Sequence, residues 1–240
     1  MLFDLNEACF DNLRDYWKAL SSETEETSDS IYVRTGIDDP LYNPIFLKKN
    51  ADASSLTKAK DRYSFWYDSK RNQTIPSTCF QHLTTIMQSV PMMSIHLDKE
   101  FKRETPPSIS ICMVENGRDL TDWISPIKIA FAMNEKTAFH YQRSLESVHK
   151  QFKHFMAKRE GRVVAVASLF LNSEIAGLYN LAVLPEYRKQ GIGTALHYAR
   201  LSEAKKMGYQ YATLQATPMA AALDASLGFE THSEISIYKV

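Results

Sequence analysis

The sequence is poor in cysteine and has no excess of charge of either sign, and both shortages exclude classes of protein. Its 240 residues include three cysteines, at positions 9, 79 and 112. Cysteines that are odd in number and widely spaced argue against a disulfide framework and against a zinc site. Lysine plus arginine total 28, as do aspartate plus glutamate. No global field therefore favours nucleic acid or an anionic membrane.

Long apolar runs are also missing. No stretch approaches the ~20 apolar residues that a membrane-spanning helix needs. The segment MLFDLNEACFDNLRDYW has acidic residues from Asp4 onward and no basic region before an apolar core, so it is not typical of a signal peptide. We therefore expect a cytoplasmic protein, a monomer or homodimer, that binds no metal, no nucleic acid and no membrane.

Prolines mark the best candidate for a domain boundary. Pro106 and Pro107 disfavour helix and favour an extended link, so we expect an α/β region over 1–107 and a second domain over 108–240. In the first region, apolar spacing predicts a helix over 4–20, and composition predicts a solvated loop over 21–30. The segment 76–90 is compatible with a helix, and 48–61 with a connector or surface helix.

Strands and helices alternate regularly in residues 108–240. The nearly unbroken apolar runs at 162–172 and 177–184 predict strands buried on both faces. A helix over 191–207, a strand over 211–217, a short helix and two final strands complete an α/β fold with a mixed sheet.

The segment LPEYRKQGIGTAL joins a predicted strand to a predicted helix and has two interpretations. The first amides of a helix lack intrahelical acceptors, and glycines at 191 and 193 would let a phosphate approach the backbone. Arg188 and Lys189 would add positive charge at the mouth. The alternative is a tight turn in which the glycines only allow close packing. A GxG pair alone is weak evidence, and the Gly-Lys-Ser/Thr ending of a nucleotide-binding P-loop is missing.

The surrounding sequence resembles the GNAT acetyltransferases. NLAVLPEYRKQGIGTAL is similar to their motif A, with Arg188, Gly191 and Gly193 at the signature positions, and LQATPMAAALDASLGFE is similar to their motif B. The resemblance covers residues 108–240. The segments VRTGIDDPLYN, SFWYDS and PMMSIHLD are similar to an N-terminal region of some bacterial acetyltransferases, where it is a degenerate half-copy of the same fold.

The resemblance implies a site for acetyl-CoA as co-substrate. In the family, the pantetheine arm bonds to the backbone of a splayed strand, and the pyrophosphate lies on the glycine loop. The strand residues that match are Leu181, Ala182 and Val183. The loop residues that match are Arg188, Lys189, Gln190, Gly191, Ile192, Gly193 and Thr194. Thr217 stands where the family often has an asparagine that bonds the pantetheine. Arg188 either braces the loop or contacts a phosphate.

The implied activity is transfer of an acetyl group to a primary amine of a small molecule or a protein. Many members use a tyrosine as the acid, four residues before the Gly-Phe pair, but this sequence has Asp224 there. An aspartate of ordinary pKa is ionised at neutral pH and would repel a thiolate. Asp224 is therefore either an unusual acid whose pKa is raised by burial, a group with another role, or a surface residue in a site where water protonates the thiolate. Candidates for the base are Glu174, which is otherwise a solvated turn residue, and Tyr179, which is otherwise a packing residue. The alternative function is an acyl-CoA sensor or interaction module with weak or lost catalysis.

Overall fold

The computed structural model describes residues 3–49, 51, 62–73, 75, 77–101, 105–171 and 174–240. It divides into two compact units, one formed by Met1–Ser94 with Gln215–Val240 and the other by Ile95–Leu214. Compactness therefore divides the chain differently from the expected cut between 107 and 108, which stays a prediction. The difference arises because the last strand of the chain pairs with strands from the N-terminal part.

The regular elements have the following bounds. In chain order they are α1 (Leu5–Ala19), β1 (Glu23–Glu26), β2 (Ser30–Arg34), β3 (Pro44–Leu47), β4 (Ser64–Asp68), β5 (Thr84–His96), β6 (Ile109–Met113), α2 (Gly117–Ala130), α3 (Glu135–Ser147), β7 (Phe152–Arg159), β8 (Arg162–Phe170), β9 (Ala176–Val183), α4 (Ile192–Lys206), β10 (Tyr211–Gln215), α5 (Ala221–Leu227) and β11 (Glu230–Lys239). Short 3-10 turns lie at Pro40–Tyr42, Ser77–Phe80, His149–Gln151 and Pro185–Tyr187. The predicted α/β class is confirmed.

The first unit is a sheet with the strand order β1-β2-β3-β4-β11-β5, packed against α1. The helix begins after Asp4, whose side chain accepts hydrogen bonds from the amides of Asn6 and Glu7. Such an N-cap satisfies amides that the helix itself leaves free. Trp17 of α1 then packs edge-on against Trp66 of β4, with ring centroids 5.6 Å apart. The predicted helix over 4–20 is confirmed.

Three expectations for this unit are wrong. The polar segment 21–30 contains β1, because its glutamates pair with β2 and Glu23 meets Arg34 at 3.1 Å. The segment 76–90 is a 3-10 turn followed by the start of β5, where β-branched residues favour an extended chain. The two strands expected at the C-terminus are the single strand β11. The predicted connector over 48–61 lies mostly outside the described residues.

The second unit holds the order β10-β9-β8-β7-β6, in which only the β9–β10 pair is parallel. The ring of Trp123 in α2 contacts that of His154 in β7, with centroids 4.8 Å apart and a tilt of 56°. The next residue of β7, Phe155, lines a cleft of about 760 Å³ together with Ala195 and Tyr198 of α4. Because successive strand residues point to opposite faces, α2 and α4 cover opposite faces of the sheet. The predicted double burial of β8 is confirmed, since residues 164–170 are all buried. The same prediction for β9 holds only for its first half, because Asn180, Leu181 and Val183 are partly exposed.

No helix within the described ranges is long and apolar enough to cross a membrane. All three cysteines are free thiols, as the sequence predicts. Among the residues that the structure describes, no group of three or more histidine, cysteine, aspartate or glutamate side chains is arranged to hold a metal ion.

Candidate functional site

The loop between β9 and α4 has left-handed backbone at two positions. Lys189 has a φ of 58° and Gly191 a φ of 77°. Only glycine adopts this region without a steric penalty, so Gly191 is required by the turn itself. A Cβ at position 191 would lie 3.5 Å from Cγ of Pro106. The loop thus reverses the chain within a few residues and starts α4 directly at Ile192.

The N-terminus of α4 has the features of an anion site. Gly191 is the N-cap, no side chain caps the helix, and its first turn has no acidic residue. The first hydrogen bond of the helix runs from the amide of Ala195 to the carbonyl of Gly191, at 3.0 Å. The amides of residues 192–194 therefore have no acceptor within the helix. Amides in this position, together with the helix dipole, attract phosphate. A pyrophosphate therefore fits the donor set of this loop.

Side chains of the loop between β9 and α4 either bond to its main chain or are buried in the core. Arg188 donates from Nε to the carbonyl of Val183 at 3.1 Å, which supports its role as a brace. Gln190 also braces the loop, because its Nε2 donates to the carbonyl of Glu186 at 3.1 Å. Ile192 and Thr194 are 1% and 7% exposed, so their side chains lie in the core. The groups that remain for a ligand are mainly amides.

β9 and β10 separate soon after they meet. Within the described residues the two strands pair at Ala212↔Ala176 and Thr213↔Gly177. β9 then continues to Val183 without pairing with β10. The amide of Leu184 bonds to the carbonyl of Val164 in β8 at 2.9 Å. Because amides alternate in direction along a strand, that of Ala182 also points to β8, and those of Leu181 and Val183 point into the opening. We call this side of residues 181–183 the open edge of β9.

A bulge lies next to the open edge. The β8–β9 register shifts between the pairs Val166↔Ala182 and Ser168↔Tyr179, and Asn180 has a φ of 58°. Arg200 of α4, fully buried, donates to the main-chain oxygens of Ser168 and Tyr179. Sequence reasoning missed both Asn180 and Arg200. A signal for Arg200 exists, since it lies four residues from both Leu196 and Ala204 on a buried helix face.

A family model of acetyltransferases, the GNAT family, matches residues 118–229. Residues 118–229 therefore form a GNAT acetyltransferase domain. This match includes β9, the glycine loop and α4, so the features described above lie inside the GNAT domain.

Several known proteins are similar to this chain. Over 103 residues the chain is 32% identical to the [Ribosomal protein bS18]-alanine N-acetyltransferase of Escherichia coli K12. The match covers 42% of this chain and 66% of that protein, just under two thirds of its length.

Solved structures are similar to this chain in fold. A GCN5-related N-acetyltransferase from Kribbella flavida has a TM-score of 0.70 at 13% identity, covering 96% of this chain and 94% of its own. A functionally unknown conserved protein from Staphylococcus epidermidis has a TM-score of 0.67 at 12% identity, covering 91% and 94%. At these identities the two structures show a shared fold alone.

The candidate catalytic residues of the GNAT domain have different environments. Glu174 is exposed just before β9. Tyr179 is 9% exposed and packs edge-on against Phe170, with centroids 6.3 Å apart. Asp224 is 2% exposed and belongs to α5, so the interpretation of Asp224 as a surface residue is wrong. Asp224 and Thr217 both lie in the first compact unit, whereas the loop and the open edge of β9 lie in the second. The roles of all four residues stay predictions.

His154 is a buried packing residue of the GNAT domain. Its ring stacks on Phe152 at 5.5 Å and its Nδ1 lies 2.9 Å from Oγ of Ser168. Burial lowers its pKa from 6.5 to about 4. The imidazole is therefore neutral in the folded protein at physiological pH.

The lowered pKa of His154 predicts a loss of stability in acid. Below pH 6.5 the unfolded chain binds a proton on His154 that the folded protein binds only near pH 4, where its pKa lies. The contribution of His154 to the free energy of unfolding is therefore complete above pH 6.5. It falls by about 3 kcal/mol in all as the pH falls towards 4. Urea unfolding at several pH values should show the stability of wild type relative to His154→Gln falling by that amount between pH 8 and pH 4. A difference that is constant across this range would contradict the prediction.

Proposed function

We propose that this protein is an acetyl-CoA-dependent N-acetyltransferase that acts on a primary amine. The observation that carries the proposal is the continuity of two binding features: the open edge of β9 leads directly into an uncapped helix N-terminus. A strand edge suits the amide groups of a pantetheine arm, and helix amides suit a pyrophosphate. Leu181 and Val183 would serve the first, and the loop over 188–194 the second. Thr217 is proposed as a further contact to the arm.

The proposed reaction is a direct acyl transfer. The neutral amine attacks the thioester carbonyl, so that a C–N bond forms, the C–S bond breaks, and the sulfur leaves as a thiolate. The amine gives up a proton to water or to a base, and the thiolate takes one. Main-chain amides on the open edge of β9 would polarise the carbonyl, as donors in an oxyanion hole do.

We propose that the acceptor is a protein or peptide α-amine. At pH 7.5, about a third of a terminal α-amine is neutral, against roughly 0.1% of a lysine side chain. An α-amine therefore makes the smaller demand on a base. The curated relative from Escherichia coli is named for an alanine of a ribosomal protein, which supports the same choice. We propose a cytoplasmic location and a monomer or homodimer.

A second function follows from Asp224. The residue four positions before Gly228 is an aspartate where many family members have the tyrosine acid. With no acid for the thiolate, the protein would bind acyl-CoA and act as a sensor or interaction module with weak catalysis.

Thiol release separates the two functions. Wild type is mixed with acetyl-CoA and a peptide that begins with alanine, and with matched peptides that carry only a lysine amine or a blocked N-terminus. We expect thiol release with the free N-terminus at least about tenfold faster than with the lysine peptide. Asp224→Asn should retain this activity if water protonates the thiolate.

Three other results would change the proposal. Tight acetyl-CoA binding without thiol release from any amine, but with a large gain in Asp224→Tyr, would support the sensor. Faster reaction of the lysine peptide would refute the α-amine acceptor alone. Calorimetric binding of ATP and not of acetyl-CoA would refute the function entirely.

A further inference from the structure

The bulge in β9 is an unusual backbone conformation next to the proposed reaction site. Because Ser168 pairs with Tyr179 and Val166 pairs with Ala182, two residues of β9 lie opposite Ala167 alone. One of the two, Asn180, has a φ of 58°. Residues other than glycine seldom adopt this conformation, and it persists where the surroundings hold it in place. The question is which groups hold it.

Arg200 holds the bulge from the α4 side. It is 0% exposed, and its Nη1 donates to the oxygens of Ser168 at 3.2 Å and Tyr179 at 3.3 Å, the pair directly before the bulge. Its Nε donates to the carbonyl of Leu196 at 3.3 Å, and its Nη2 lies 3.1 Å from Nδ1 of His197. A buried guanidinium is unfavourable unless its donors are satisfied. An apolar side chain would fill the same space but could not donate hydrogen bonds. The bonds to the main-chain oxygens of Ser168 and Tyr179 are the ones by which the guanidinium links α4 to the strands.

A chain of side-chain hydrogen bonds holds the bulge from the α2 and α3 side. Tyr141 of α3 donates its hydroxyl to Oδ1 of Asn180 at 2.8 Å, and Nδ2 of Asn180 donates to Oγ of Ser168 at 3.2 Å. Oγ of Ser168 lies 2.9 Å from Nδ1 of His154. Tyr141, Ser168 and His154 are all buried. The side chain of Asn180 is therefore fixed at both its oxygen and its nitrogen.

We propose that Arg200 is a positioning residue for acetyl transfer. By fixing the oxygens of Ser168 and Tyr179 it sets the bulge at Asn180, and the bulge sets the direction of the open edge of β9. This inference rests on the proposed function, in which that edge faces the thioester. The main-chain donors of the open edge and of the loop over 188–194 remain present without Arg200. Loss of Arg200 should therefore lower turnover by a larger factor than it weakens the binding of CoA.

The test compares Arg200→Met with Arg200→Lys and with a control in the same helix. Leu201→Ala is the control, because Leu201 is 1% exposed and its loss leaves a cavity without touching the contacts to Ser168 and Tyr179. Three quantities are measured for each: the calorimetric Kd for CoA, kcat with the alanine peptide, and amide hydrogen exchange of the peptide spanning 176–184.

Arg200→Met is expected to lower kcat at least about tenfold and to change Kd for CoA less than about threefold. Amides at 181–183 should exchange faster, and Arg200→Lys should recover part of kcat because an ammonium still donates to an oxygen. Leu201→Ala should lower the melting temperature without lowering kcat. If Arg200→Met does not fold, Tyr141→Phe, which removes one bond to Asn180, should shift kcat and exchange in the same direction by less.

Two results would overturn the inference. One is wild-type kcat and exchange in Arg200→Met, and the other is an equal loss of kcat in Leu201→Ala when both are fully folded. The exchange measurement does not need turnover. A wild type that releases no thiol would refute the proposed function, whereas unchanged exchange in Arg200→Met refutes the role of Arg200.

Discussion

Gly191→Val is expected to weaken acetyl-CoA binding by at least about 100-fold, or ~2.7 kcal/mol. Two effects add. The φ of 77° is unfavourable for a β-branched residue, so the loop would rearrange, and the new side chain would lie beside the amides that start α4. Isothermal titration with acetyl-CoA measures the loss directly.

The matched control is Gly208→Val. Gly208 follows α4 at its other end and has a φ of 91°, and a Cβ at this position would meet only open space. This variant should lose a similar amount of stability, about 1–3 kcal/mol, and keep its affinity for acetyl-CoA. If Gly191→Val binds as tightly as wild type, the loop assignment is wrong. If Gly208→Val loses affinity equally, the effect reflects global destabilisation and not the loop.

Local sequence was sufficient to predict the helices and strands whose own residues determine them. The runs at 162–172 and 177–184 are mostly apolar, and β8 and β9 lie there. The helix expected over 191–207 is α4, because its start follows from the glycines and its end from Gly208. These signals need no knowledge of distant contacts.

Pairing with distant residues explains what the sequence did not reveal. β1 is a strand of exposed polar residues that exists because β2 pairs with it. β11 lies between β4 and β5, which come from the opposite end of the chain, so the compact units could not be predicted from the position of the prolines. Order along the chain does not contain this information.

The candidate site shows the same division. The two glycines predicted a tight connection between a strand and a helix, and Gly191 with its φ of 77° directly precedes α4. The bulge at Asn180 could not be predicted, because it depends on the register between β8 and β9 and on hydrogen bonds from α3 and α4. Arg200 lies four positions from both Leu196 and Ala204, so its spacing indicates burial, but its bonds to the oxygens of Ser168 and Tyr179 depend on the folded strands.

Val183→Pro is expected to abolish acetyl-CoA binding, with an affinity at least about 100-fold weaker, in a protein that remains folded. The amide of Val183 points into the opening between β9 and β10, and its carbonyl accepts from Arg188 on the same side. Proline is tolerated where a strand amide has no ladder partner, and it removes the donor that the pantetheine arm would use.

Ala182→Pro is the contrasting variant one residue away. The amide of Ala182 points to β8, where Ala182 pairs with Val166, so this proline removes a ladder bond within a buried pair of strands. We expect a clear loss of stability, seen as a lower melting temperature in thermal unfolding. Both prolines restrict the backbone equally, so the direction of the missing amide is the difference between them. Unfolding of Val183→Pro would show that its amide is needed by the sheet, and unchanged affinity in a folded Val183→Pro would show that the open edge of β9 does not bind the cofactor.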